Sequence, residues 1–279
     1  MTDTTAPQPA QPARTAHTSE APVLVTVEDG VGVVTFNRPD AMNSLDIPTK
    51  EAFLAALRQV ADDTEVRCVV LTGSGRAFCV GQDLKSHVEL LQRQDPSLWD
   101  TVEQHYNPAV TLIATMPKPV IAAVNGVAAG AGASFTFAAD YRFLAEGGGY
   151  NFAFTGIALS CDTGASWTLP RLVGTARAKE LLMFQRTIKA AEAKDLGLVN
   201  EVVEGDVMVP AMDLARRMAK GPTLAYAAVR EAVHHSAQHS FAESLAHEGE
   251  LMNRTGGSAD HAAAVDAFLA KQKPIFEGR

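Results

Sequence analysis

The segment Ala122-Ala-Val-Asn-Gly-Val-Ala-Ala-Gly-Ala-Gly-Ala-Ser134 restricts what this chain can fold into more than any other stretch. The apolar run 119–124 that enters it reads as a buried strand, and Asn125-Gly126 breaks that strand. Gly126, Gly130 and Gly132 then lead into a helix of small residues expected over 131–139. Glycine lets another group approach the backbone closely, and the first amides of a helix have no internal acceptor. With the positive end of the helix dipole behind them, such amides favour developing negative charge. A second glycine turn, Gly73-Ser-Gly-Arg-Ala-Phe-Cys-Val-Gly-Gln-Asp83, follows another buried-looking strand at 66–71. Two strand-to-glycine-loop units point to two peptide N–H groups converging on one oxygen, an oxyanion hole. The blander reading is a pair of ordinary strand-to-helix turns. Neither loop carries Gly-x-Gly-x-x-Gly or the Gly-Lys-Ser/Thr of a phosphate loop.

With 279 residues, 47% of them hydrophobic, the chain can bury a full core. A formal charge of −8 argues against nucleic acid or an anionic membrane surface as the main partner. Cys68, Cys79 and Cys161 are too few and too scattered for a disulfide framework, and fit a reducing, cytoplasmic setting. Residues 1–21, rich in Thr, Ala, Pro and Gln, read as a disordered tail without the apolar stretch of a signal peptide. No run approaches bilayer-spanning length.

Alternation at 23–27, a turn at Asp29-Gly30 and a return at 31–36 predict a hairpin. Asp46 is placed to cap a helix reaching Asp62, with Phe53, Leu54, Leu57 and Val60 on one face. The polar stretch 85–96 reads as a mobile loop, followed by a helix near 98–115. Strands at 141–145 and 150–154 flank Gly147-Gly-Gly149. Thr175 is read as capping a helix to Phe184, another helix spans 190–196, and a short strand spans 198–203. Helices near 209–220, 223–236, 241–253 and 259–272 complete the pattern. The fold class is α/β: a core of repeated strand–strand–helix units at 22–203, then a helical region at 204–279 suited to covering another subunit.

Asp162 lies in Ala158-Leu-Ser-Cys-Asp-Thr-Gly164, between a strand and a helix. An aspartate there more commonly caps the helix or forms an Asx turn. Apolar neighbours Phe152, Phe154, Ile157 and Leu159 would raise its pKa and suit it to proton transfer. His235 and His239 stand four apart, a metal-like spacing, but no third ligand is evident and surface histidines fit better. His105 and Tyr106 lie near the start of the helix leading to the second glycine loop, placed to border the active site, with core packing an equal reading for Tyr106. Ser74, Ser134 and Ser160 lack Gly-x-Ser-x-Gly. Cys79, between Phe78 and Val80, reads as a buried inert thiol.

Four stretches, taken in order, resemble the crotonase superfamily, the enoyl-CoA hydratase/isomerase family. They are Asn37-Arg-Pro-Asp-Ala-Met-Asn-Ser-Leu45, Gly75-Arg-Ala-Phe-Cys-Val-Gly-Gln-Asp-Leu84, Pro117-Lys-Pro-Val-Ile-Ala-Ala-Val-Asn-Gly126 and Ala190-Ala-Glu-Ala-Lys-Asp-Leu-Gly-Leu-Val-Asn200. The resemblance implies a spiral of β-β-α repeats, a homotrimer or dimer of trimers assembled through the C-terminal helices, and an acyl-CoA substrate. It implies no separate cofactor and no metal. By motif match the oxyanion donors are the amides of Gln82 and Ala131, the latter usually glycine in the family. The CoA moiety would lie against Met42, Ala77, Gln82, Asp83 and Leu84, with Ala131 and Phe154 also against the substrate and Lys271 meeting the nucleotide.

The departures bear on the reaction. Hydratases of the family carry two glutamates at positions that here are Ser134 and Phe154. Asp162 instead matches an aspartate of non-hydratase members, among them phenylacetate-pathway isomerases and aryl-CoA dehalogenases. The isomerase subgroup is similar at His105-Tyr-Asn-Pro108, at Asp162–Gly174 and at Ala267-Phe-Leu-Ala-Lys271, and has proline where Cys161 stands here. The resemblance therefore implies a double-bond shift with Asp162 as acid and base. Hydration, dehalogenation and non-catalytic acyl-CoA binding are the alternatives.

Overall fold

The computed structural model describes residues 21–279, so the expected tail lies outside the described residues except for its last position. Strands β1 (Val23–Glu28) and β2 (Val31–Phe36) pair antiparallel from Val23↔Phe36 to Glu28↔Val31. The two turn residues, Asp29 and Gly30, have φ of 52° and 76°, the left-handed pair that a two-residue hairpin needs. Helix α1 (Ile47–Asp62) starts where Asp46 accepts a hydrogen bond from Thr49 N at 3.0 Å, and it buries Phe53, Leu54, Leu57 and Val60.

The core then alternates between two sheets. β3 (Cys68–Gly73) is followed by β4 (Ala77–Cys79), β5 (Val120–Val124) by β6 (Val127–Ala129), and β7 (Tyr141–Ala145) by β8 (Gly149–Asn151). The first strand of each unit enters a six-stranded sheet, β1-β2-β3-β5-β7-β10, where β10 is Glu201–Val203. The second enters a four-stranded sheet, β4-β6-β8-β9, where β9 is Thr187–Lys189. Successive units pair in parallel, β3 with β5 and β5 with β7, β4 with β6 and β6 with β8. Each turn of chain thus advances one strand position in both sheets, which is the expected spiral.

Helices complete the layers. α2 (Leu84–Gln92), α3 (Ser97–Thr101) and α4 (Asn107–Thr115) lie between the first two units, and α5 (Ala131–Phe137) follows β6. Next come α6 (Ala165–Val173), α7 (Thr175–Met183), α8 (Ala190–Asp195) and α9 (Met208–Ala219). The last three are α10 (Thr223–Ser236), α11 (Phe241–Gly256) and α12 (Ala259–Leu269). Ala211, Ala215 and Ala219 recur at four-residue steps on α9 and pack against Val31, Cys68, Val70, Ile121 and Ala123 of the large sheet. Its other face meets the main core, with Phe36, Phe53, Phe78 and Phe135. β5, buried on both sides, therefore reads as an unbroken apolar run. Val229, Val233, Phe241, Met252 and Phe268 of the last three helices are exposed. Among the described residues, no helix is long and apolar enough to cross a membrane.

Several expectations are corrected. The stretch 85–96 is largely helical, because the Asp83 carboxylate accepts from Lys85 N at 3.0 Å and Ser86 N at 3.4 Å and nucleates α2. The helix expected near 98–115 contains a π turn at Val102–Tyr106, in which Asn107 N bonds Val102 O. Thr175 is the first helical residue of α7; Gly174, at φ 77°, stands at the cap. The strand expected at 66–71 begins and ends two residues later, since Val66 N is held in a turn by Asp63 O. That expected at 150–154 stops at Asn151.

Candidate active site

The first glycine loop is held from behind by Asn43. This buried side chain donates to Ser74 O, Ala77 O and Phe78 O at 3.0, 2.8 and 3.1 Å, and accepts from Arg38 N at 2.8 Å. Leu45 then bridges to Gln82: Leu45 N donates to Gly81 O at 2.8 Å and Asp83 N to Leu45 O at 3.1 Å. In a parallel bridge the flanking residues use their polar groups toward the partner, so the N–H of Gln82 points away from it. Gly81 has φ of 81°, and a Cβ placed there would lie 2.8 Å from Ala129 O and 3.4 Å from Ala131 N. A Cβ on Gly132 would lie 2.8 Å from the carbonyl carbon of Cys79 and closer still to its oxygen. The two loops therefore touch backbone to backbone, and only glycine permits it.

Among the described residues, neither Gln82 N nor Ala131 N donates to a backbone carbonyl. Both residues line one cavity of about 470 Å³ together with Gly130, Phe154 and Asp162. Two unsatisfied amides on touching loops can both donate to one oxygen, and the first turn of α5 adds its dipole.

Asp162 is not a helix cap. Gly164 occupies the cap of α6 without a side-chain bond, while the Asp162 carboxylate accepts from Thr163 Oγ1 at 2.7 Å. Burial pushes its pKa up; the Thr163 hydroxyl and the Lys50 ammonium pull it partly back. Phe154, Ile157 and Leu159 share the cavity with it, as expected, whereas Phe152 lies in the core. Among the residues lining this cavity, Asp162 is the one carboxylic acid.

The remaining wall comes from α2 and the α3–α4 segment: Leu84, His87, Leu98, Trp99, Val102 and Tyr106. The π turn carries Tyr106 inward, where its hydroxyl donates to Gln82 Oε1 at 2.5 Å. Burial first, then the charge of Asp162, raises the Tyr106 pKa well above its ordinary value, so it stays a neutral donor. Tyr106, expected either at the border of the site or in the core, is in both.

Of the other expected substrate contacts, Leu84 and Phe154 line the cavity, while Met42, Ala77, Asp83 and Lys271 do not. Ala77 is fully buried in β4. Asp83 is tied to Arg38 at 3.2 Å and to Ser44 Oγ at 2.9 Å. Burial pushes its carboxyl up, but hydrogen bonds from Ser44, Ser86, Arg38 and Lys85 hold it below its ordinary value. Lys271 follows α12 on the surface. Ser134, at one of the two glutamate positions, turns its hydroxyl to Gly130 O at 3.1 Å, and Phe154 at the other is apolar. His105 sits 3.3 Å from Thr101 Oγ1 on a separate small cavity. The His235 and His239 rings stack with centroids 3.7 Å apart. Burial pushes the Cys79 thiol up to about 12, which keeps it un-ionised. Asn43 and Lys50 were missed; Asn43 stands in a quoted motif, but its three-way clamp becomes visible only in three dimensions.

Comparison with known proteins agrees with this geometry. The family model described as enoyl-CoA hydratase/isomerase matches residues 26–279. The 1,2-epoxyphenylacetyl-CoA isomerase of Escherichia coli K12 is 38% identical over 258 residues, covering 92% of this chain and 98% of its own. The short-chain-enoyl-CoA hydratase of Clostridium acetobutylicum is 31% identical over 258 residues, covering 90% and 95%. A crystal structure from Mycobacterium abscessus, whose chain carries the hydratase/isomerase description, superposes with a TM-score of 0.88 at 41% identity and covers 92% of this chain and all of its own. Spiral sheets, touching glycine loops and a match along nearly the whole chain together show that this protein belongs to the enoyl-CoA hydratase/isomerase family of crotonase-type enzymes.

Proposed function

We propose that the protein moves a double bond within an acyl-CoA thioester. The Asp162 carboxylate takes a proton from one carbon of the bound acyl chain. The electrons pass into the thioester carbonyl, whose oxygen gains enolate character between the N–H groups of Gln82 and Ala131. The same proton, held on Asp162, returns to another carbon, and the carbonyl re-forms with no net change in atoms. One oxyanion-hole donor is worth roughly 3 kcal/mol of barrier in acyl-transfer enzymes. Burial of Asp162 brings its proton affinity closer to that of a working acid–base group.

The observation that carries this reading is the single carboxylic acid sharing a mostly apolar cavity with two free loop amides. Hydration needs a second group to hold and polarise water, and Ser134 and Phe154 supply no carboxylate. An apolar cavity of this size takes an unsaturated acyl chain or ring of moderate length. The CoA moiety extends from the cavity mouth over Met42 and Asp83, with Lys271 at the nucleotide; Ala77, fully buried in β4, supports this loop from within rather than touching CoA. The exposed apolar residues of α10–α12 support a homotrimer, or a dimer of trimers, as the assembly. On this reading 22–203 forms the catalytic core, 204–279 the assembly region, and the enzyme works in the cytoplasm.

The test is incubation with a 3-enoyl-CoA, followed by the absorbance of the conjugated 2-enoyl product and by mass spectrometry. Isomerisation without mass gain, abolished in Asp162→Asn while acyl-CoA binding persists, is expected. Full activity in Asp162→Asn removes the residue from the mechanism, and a product heavier by one water establishes hydration instead.

A further inference from the structure

Lys50 is unusual for where it lies. Its side chain projects from α1 into the protein and is 4% exposed, although lysine is among the residues least often fully buried without a partner. Among the described residues no carboxylate comes within ion-pair distance of its ammonium. Instead Nζ donates to Thr101 Oγ1 at 2.7 Å and sits 5.2 Å from the centroid of the Tyr106 ring. Burial depresses the ammonium to about 8, offset in part by the more distant charges of Asp46, Asp162 and Asp83. A buried cation that no direct ion pair compensates costs stability, so its placement calls for a functional reason.

The contacts supply one. Thr101 and Tyr106 both line the substrate cavity, and the Tyr106 hydroxyl is the group that grips the Gln82 side chain. The cation lies against the face of that ring, where the quadrupole attracts it, and within electrostatic reach of Asp162. We propose that Lys50 is a positioning residue for the reaction: from behind the cavity wall its ammonium fixes Tyr106, and through it Gln82, and sets a positive charge beside the cavity that holds Asp162. The inference rests on Asp162 being the acid–base group.

The charged and titratable groups facing this cluster come from every packed element. Asp46 and Glu51 lie on or beside α1, Asp83 caps α2, and His105 lies on the π turn with its Nδ1 toward Thr101. Arg38 pairs with both Asp46 and Asp83, and Asp162, the neutral Tyr106 and His87 of α2 line the cavity in front of the cluster. Burial and then the Lys50 charge push His105 down, so it adds no second cation near neutrality. Lys50 is thus the positive charge that offsets burial at Asp162.

The experiment compares the native enzyme with Lys50→Met and Lys50→Gln over pH 5 to 8, reading kcat and KM and, separately, the titration of the Asp162 carboxyl. For the latter, aspartate is carbon-13 labelled and the signal assigned by its absence in Asp162→Asn. Without the cation, the carboxyl titrates at higher pH and the acid limb of kcat follows. Variant kcat relative to native then falls by roughly twofold or more between pH 8 and the limb, with KM little changed. A purely structural lysine would alter expression or melting temperature without moving that limb. An Asp162 titration that is the same in native and folded variant protein overturns the proposal. This readout needs no turnover. Failure of the acid–base reading shows instead as full activity in Asp162→Asn.

Discussion

Gly132→Ala tests how closely the two loops must approach. The added Cβ would lie 2.8 Å from the carbonyl carbon of Cys79 and 2.9 Å from its Cβ, and nearer still to its oxygen. Ordinary carbon–carbon contact is about 3.5–4.0 Å, so the first loop and the start of α5 must part by about 1 Å. Oxyanion donors act from about 2.7–3.1 Å. Parting by that amount leaves one of the Gln82 and Ala131 amides near 4 Å from the shared oxygen and removes its contribution. The expected loss is about 3 kcal/mol of barrier, on the order of 10²–10³ in kcat. The assay is steady-state isomerisation of a 3-enoyl-CoA per folded enzyme, with folding checked by circular dichroism and thermal melting. Overpacking alone would cost roughly 1–3 kcal/mol of stability without a matching fall in kcat. Gly147→Ala, where an added Cβ meets no atom within 4 Å, is the control and keeps native kcat. A folded Gly132→Ala enzyme with native kcat refutes the reasoning.

Two further outcomes follow from the charges around the site. Thr163→Val removes the hydroxyl that lowers the Asp162 pKa, so the acid limb of kcat moves to higher pH; a limb that stays or falls contradicts the assignment. Lys50→Met relieves a buried charge. The native ammonium titrates at about 8 against 10.5 unfolded, so below pH 8 both states carry the proton and the full cost, at most about 3 kcal/mol, is present. Between 8 and 10.5 the unfolded state holds more protons, native stability rises with pH, and the advantage of Lys50→Met shrinks. Chemical denaturation at pH 7 and 10 checks this, and a variant less stable than native at pH 7 contradicts it.

What the sequence disclosed was local. The hairpin, α1 with its Asp46 cap, and both glycine loops follow from residues adjacent in the chain. The acid character of Asp162 followed from apolar neighbours within a few positions. What stayed hidden depends on partners far away. β9 has three residues and exists only by pairing with β8. α2 was read as a loop from its polar composition, although Leu84, Val88 and Leu91 stand at helical spacing; that short stripe is exposed rather than packed on the core. The Tyr106–Gln82 bond and the burial of Lys50 join segments 24 and 51 residues apart, and no local pattern encodes them.

Everything chemical in this account depends on the thioester oxygen being held by the amides of Gln82 and Ala131. The infrared stretch of that carbonyl, carbon-13 labelled in a saturated acyl-CoA that binds without turning over, reports the contact directly. A band at lower frequency than in water, moving back toward the free value in Gly132→Ala, is the predicted result. A bound carbonyl that absorbs where the free one does contradicts it.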